Sequence, residues 1–147
     1  MCTQISFVEF APGGTHDGRL EVHEVFGLDL VADLVVLSAC QTGLGSGALA
    51  DVPAGDDWVG LTRAFLHAGA GHVVATLWPV QDEATAALMD RFYRELAAGA
   101  EPARALALAQ RALLGDRTTA NPFYWAGFVA VEGSARPEAG TARGRGR

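Results

Sequence analysis

The clearest indication of the fold is the stretch Leu34–Gly47, which reads LVVLSACQTGLGSG. Its first residues, Leu34–Ala39, are apolar or small and partly β-branched, as in strands that are buried on both faces of a sheet. A thiol follows at Cys40, and then a glycine-rich loop that begins at Gly43. Because open α/β sheets place their sites at the carboxyl ends of strands, this stretch predicts a strand that delivers a reactive thiol. The alternative is a small buried cysteine that only fills space in the sheet.

Length, composition and charge restrict the class of protein. The chain has 147 residues, of which 50% are hydrophobic and 19% charged, which is the composition of one globular domain. Its net charge of −6 argues against nucleic acid and against an anionic membrane surface as partners. No apolar run approaches the roughly 18 residues of a membrane span, and two cysteines do not form a disulfide framework. We therefore expect a reducing, cytoplasmic setting.

The rest of the chain alternates between strand and helix patterns. The apolar run His72–Trp78 predicts a second strand that ends at Pro79, and Phe128–Val131 predicts a last one. Helical spacing and end signals predict the helices between the strands: Trp58–Ala68, Glu83–Ala98 and Pro102–Gly115. This order predicts parallel strand pairing with helices on the faces of the sheet. Residues 134–147 have no apolar pattern and are predicted to be a disordered tail.

Four blocks of the sequence resemble the carboxyl half of CHAT domains, which are caspase- and separase-like cysteine peptidase modules often joined to tetratricopeptide repeats. The blocks are LVVLSACQTG, GLTRAFLHAGAGHVVATLWPVQDEATAALMDRFYREL, EPARALALAQRALL and NPFYWAGFVAVEG. The resemblance implies a partial CHAT domain over residues 1–133. Its fold would be a caspase-like three-layer α/β/α arrangement with a mostly parallel sheet, incomplete at the amino-terminal side. It also implies that Cys40 matches the nucleophile in the Ser-Ala-Cys motif of a peptide-bond hydrolase.

The general base of the family, a histidine in a Thr-His-Gly motif, has no matching position in this chain. The segments on either side of His16 resemble the part of the family that follows the catalytic histidine, so we expect the histidine strand to lie before Met1. Among the chain's 4 histidines only His16, in a glycine-rich loop, is a candidate substitute. We therefore expect little or no peptidase activity from this chain alone. The alternative is a non-catalytic protein-interaction module or a truncated gene remnant of the family.

The absence of the histidine strand has a structural consequence. In the caspase-like arrangement that strand lies beside the cysteine strand, so the strand Leu34–Ala39 would keep an unpaired apolar edge. Such an edge pairs readily with another chain. We therefore expect the chain to dimerise, to aggregate or to need a complementary partner chain.

Two further residues are predicted to contact a protein or peptide substrate. Trp78 ends the second strand, and Asp82 follows it at the same end of the sheet as Cys40. In caspase-like folds this region lines the specificity pocket, which implies that Asp82 favours a basic side chain before the scissile bond. The alternative is that Asp82 caps the following helix. The resemblance implies oxyanion contacts from the loop at Gly43, and no metal or organic cofactor.

Overall fold

The computed structural model describes residues 7–11, 13–14, 17–37 and 56–133, and every structural statement below concerns these residues. The elements are β1 (Phe7–Glu9), β2 (Arg19–Glu21), α1 (Val22–Phe26), β3 (Ala32–Leu37), α2 (Asp56–His67), β4 (Ala70–Thr76), α3 (Asp82–Ala97), α4 (Pro102–Gly115), a 3₁₀ helix (Pro122–Tyr124) and β5 (Phe128–Glu132). From β3 onward the strands and helices follow the order that the sequence predicts.

The central sheet has three described strands in the order β3-β4-β5, and β1 and β2 form a separate antiparallel pair. Strands β3 and β4 are parallel, with Leu34 opposite His72 and Leu37 opposite Ala75. Within the described residues β3 is therefore an edge strand, as the sequence predicts for a fold that is incomplete on this side.

The last strand, β5, runs antiparallel to β4, with Thr76 opposite Phe128. The prediction that it would pair in parallel was therefore wrong. The reason is that two helices, α3 and α4, separate the strands and pack against each other. One helix returns the chain to the starting end of a sheet, whereas a pair of antiparallel helices brings it back to the end where β4 finishes. The chain can then re-enter the sheet only in the opposite direction.

Helices cover both faces of the sheet. On one face Val74 packs in a cluster with residues of α3 and α4, including Leu88, Phe92 and Leu106. On the other face its neighbour Val73 packs with Val25 of α1 and with residues of α2. Because successive strand residues point to opposite faces, a strand buried on both sides must be apolar at nearly every position. This three-layer α/β/α arrangement confirms the predicted fold class and is compatible with a partial caspase-like fold.

Candidate functional site

The candidate site lies at the carboxyl ends of β3 and β4. Because these strands are parallel, their last residues, Leu37 and Thr76, lie at the same end of the sheet. Trp78 and Asp82 follow β4 at that end. Cys40 and Gly43 follow β3 in the sequence but lie outside the described residues, as does His16. The roles of Cys40 and Gly43 therefore stay predictions, and the structure describes the β4 side of the site.

Trp78 is half-buried and is held from two sides. Its indole N–H donates a hydrogen bond to the carbonyl oxygen of Phe123 at 3.1 Å. Its ring lies across Gly127, where a Cβ atom would come within 2.8 Å of Trp78 Cε2. The polar atom of the indole is therefore engaged within the protein. Any contact of Trp78 with a substrate has to come from the carbon surface of the ring.

We predict that Gly127→Ala destabilises the protein by about 1–3 kcal/mol, because the new methyl group forces Trp78 out of place. A thermal melt followed by circular dichroism measures the loss. Gly115→Ala is the matched control, since a Cβ atom at Gly115 meets nothing within 4 Å. An unchanged melting temperature for Gly127→Ala would show that the indole is free to move.

Hydrogen bonds from side-chain amides hold the loop between α4 and β5 in place. Gln110 of α4 donates from Nε2 to the carbonyl oxygens of Trp125 at 3.0 Å and Phe128 at 2.8 Å. Asn121 Oδ1 accepts the backbone N–H of Phe123 at 3.0 Å, which caps the 3₁₀ helix. The Asn121 bond satisfies the Phe123 N–H, and the two bonds of Gln110 join α4 to the residues at the start of β5. They fix the segment that supports Trp78.

Asp82 is exposed and is the first residue of α3. The N-cap is Gln81, whose side chain makes no capping hydrogen bond, so the interpretation of Asp82 as the N-cap was wrong by one position. The first helical hydrogen bond runs from the Thr85 N–H to the Gln81 carbonyl, which places Asp82 inside the first turn. A carboxylate there still interacts favourably with the helix dipole. At this position neither oxygen of Asp82 caps the helix.

The three described histidines each contact another group of the described residues. His72 is level with Leu34, and its Nδ1 is 3.1 Å from the carbonyl oxygen of Asp33. His67 is the last residue of α2 and packs against Phe26 with ring centroids 5.3 Å apart. His23 lies on α1 and its Nδ1 is 3.1 Å from a carboxylate oxygen of Glu21. All three side chains therefore have partners other than a thiol at the carboxyl end of β3.

A surface cleft of about 530 Å³ runs along α3 to the end of α4. Its walls combine three carboxylates and two guanidinium groups: Glu83, Asp90, Asp116, Arg91 and Arg94. Asp90 and Arg94 pair with each other at 2.9 Å. Hydrogen bonds from the Thr118 hydroxyl and backbone N–H hold the pKa of Asp116 below its usual value. The cleft is therefore lined by charges of both signs, which do not select for an anionic or a cationic ligand.

The described residues offer neither a cluster of metal ligands nor a membrane-spanning helix. No group of three or more His, Cys, Asp or Glu side chains within this part of the chain is arranged to hold a metal ion. Among the described helices, none combines the length and the apolar character that crossing a membrane requires.

Comparison with known proteins identifies the family of this chain. The model of the CHAT domain family matches residues 2–133. The chain therefore belongs to the CHAT domain family, and the resemblance seen in the sequence is confirmed.

Two curated proteins with the same name, from two mammals, are similar to this chain. Tetratricopeptide repeat protein 28 of Mus musculus is 34% identical over 112 residues, and that of Homo sapiens is 35% identical over 112 residues. The matched region covers 76% of this chain but only 4% of each relative. The chain thus spans a small part of the relatives that it matches, whose name refers to tetratricopeptide repeats.

Proposed function

We propose that this chain is the carboxyl-terminal part of a CHAT-type cysteine peptidase, with Cys40 as the nucleophile. The Cys40 thiolate would attack the carbonyl carbon of a peptide bond while N–H groups of the loop at Gly43 stabilise the oxyanion. The C–N bond then breaks, and the amine leaves with the proton that the base took from the thiol. Water hydrolyses the thioester and regenerates the thiol.

The observation that supports this proposal is the parallel pairing of β3 and β4. It brings the end of the strand that precedes Cys40 next to the end that precedes Trp78 and Asp82. Leu37 is opposite Ala75, so the last described residue of β3 lies beside the last residues of β4.

The base of this dyad is proposed to come from residues outside the 147-residue sequence. His23, His67 and His72 are engaged elsewhere. A thiol without a base has a pKa of about 8.5 and is only a few per cent thiolate at neutral pH. The chain alone is therefore proposed to be inactive or nearly so.

The experiment is to express the chain with the residues that its reading frame encodes immediately before Met1. If those residues include a strand ending in Thr-His-Gly, the longer protein is expected to hydrolyse peptides, and the histidine-to-alanine variant and the 147-residue chain are not. Absence of such a strand, together with no hydrolysis, would favour the alternative of a non-catalytic interaction module. The tetratricopeptide repeats of the relatives make a repeat region the first partner to test.

We predict that Asp82→Asn in the longer protein removes a preference for Arg before the scissile bond and changes the melting temperature little. Asp82 is exposed and makes no capping bond, so its loss removes only a helix-dipole interaction of at most about 1 kcal/mol. The ratio of kcat/KM for peptides with Arg and with Ala at that position measures the preference. Glu83→Gln, the neighbouring acid on the same turn, is the control. An unchanged ratio for Asp82→Asn would exclude Asp82 from the specificity pocket.

A further inference from the structure

The cleft along α3 is lined by small side chains as well as by charged ones. Ala84 and Ala87 of α3 and Ala112 of α4 all line it. Because an alanine side chain extends only one carbon from the backbone, a bound chain can approach both helices closely. The volume of about 530 Å³ is within the range of sites that hold ligands.

The two signs of charge lie toward opposite ends of this cleft. Glu83 is in the first turn of α3, and Arg91 follows it 8 residues later on the same helix. A rise of about 1.5 Å per residue separates them by about 12 Å along the helix axis. A short connection joins α3 to α4, and the two helices pack against each other, so the end of α4 lies beside the start of α3. Asp116, which follows α4, therefore belongs to the acidic end with Glu83.

Two of the charged side chains have no partner within the protein. Arg94 pairs with Asp90 at 2.9 Å, and Asp116 accepts hydrogen bonds from the loop that follows it. Within the described part of the chain, by contrast, neither a hydrogen bond nor an ion pair engages the side chain of Glu83 or of Arg91. These two groups are therefore available to a ligand, one at each end of the cleft.

The hydroxyl groups on the facing wall are already engaged. The Thr119 hydroxyl donates to the carbonyl oxygen of Leu113 at 2.8 Å, and the Thr118 hydroxyl donates to Asp116 Oδ1 at 2.7 Å. These bonds hold the wall in place before anything binds, which lowers the entropy that binding has to overcome. They also leave few free donors for a small polar ligand, so recognition has to come from the charges at the two ends.

We propose that this cleft binds an extended segment of another protein that carries an acidic and a basic residue four positions apart. The acidic residue pairs with Arg91 and the basic residue with Glu83. An extended chain rises about 3.3 Å per residue, so four positions span about 13 Å, and residues at i and i+4 point to the same side. In a helix the same two residues would be only about 6 Å apart. This binding site goes beyond the proposed function, because it needs neither Cys40 nor a base.

The test is an NMR titration of the full chain with nonapeptides of Gly, Ser and Thr that contain one Glu and one Arg. The peptides are acetylated and amidated, which removes their terminal charges. Two probes have Glu and Arg four positions apart, one in each order, and the matched peptides have the two residues adjacent. One spaced probe is expected to bind about threefold to fivefold more tightly than its adjacent counterpart, the size of one exposed ion pair. Its largest shifts should fall on amides of α3.

Reversing one charge of the cleft separates this site from general attraction. Arg91→Glu should weaken binding of the preferred probe by about threefold to fivefold or more. The same variant should bind a probe with Arg in place of Glu more tightly than the parent does. Arg104→Glu, an exposed position of α4 outside the cleft, is the matched control and should behave like the parent. No measurable binding, equal binding of spaced and adjacent probes, or equal effects of the two variants would overturn the proposal.

Discussion

Cys40→Ala is expected to lower peptide hydrolysis at least about 10³-fold in the longer protein that supplies the histidine. The size of this loss in rate follows from the proposed mechanism, because the thiolate forms the covalent intermediate and no other group can replace it. Initial rates with a fluorogenic peptide measure the loss. The melting temperature should change little, since the substitution removes one sulfur atom.

The matched control for this prediction is Cys2→Ala, which makes the same chemical change at the only other cysteine of the chain. It is expected to keep full activity. Substantial hydrolysis by Cys40→Ala would contradict the assignment of the nucleophile, and equal loss in both variants would point to a general effect on the fold.

Phe92→Ala is expected to cost about 3–5 kcal/mol of the free energy of unfolding, the range for truncating a fully buried aromatic side chain. Phe92 of α3 has 0% exposure and packs against residues of α4 and of the sheet. For a chain of this length the melting temperature should fall by about 10 °C or more. Such a loss is a large share of the stability of an ordinary domain.

The adjacent residue gives the control for Phe92. Tyr93 is on the same helix and is 51% exposed, so Tyr93→Ala should change the free energy of unfolding by about 0.5 kcal/mol or less. Similar losses for the two variants would mean that α3 does not bury this face against the sheet.

The sequence predicted the strands and helices well because their signals are local. The apolar run before Cys40 forms the partly buried strand β3, and Leu88 and Phe92 of the helical stripe are fully buried. Pro102 begins α4 as predicted, because proline loses nothing at a position whose N–H has no helical partner. The membership of the CHAT domain family could also be predicted, since its motifs are short and contiguous.

Long-range features were harder to predict. The direction of β5 depends on how α3 and α4 pack, which no single segment specifies. Gln110 reads in the sequence as one more polar helix residue, and only the fold shows that it bonds the carbonyls of Trp125 and Phe128. Gly127 is similar, since its requirement for a missing Cβ comes from Trp78, far away in the chain. The Asn-Pro pair before Phe123 predicted a turn, but not which strand end that turn contacts.

We propose that this chain contains the thiol of a cysteine–histidine dyad but not its base. The most direct measurement is the rate of alkylation of Cys40 against pH, in the Cys2→Ala variant of the 147-residue chain. Alkylation of Cys40 is expected to be slow at pH 6, to accelerate through about pH 8.5 as the free thiol ionises, and to be unaffected by His16→Ala. Rapid alkylation at pH 6 that is lost in His16→Ala would contradict it, because the base would then lie within the chain.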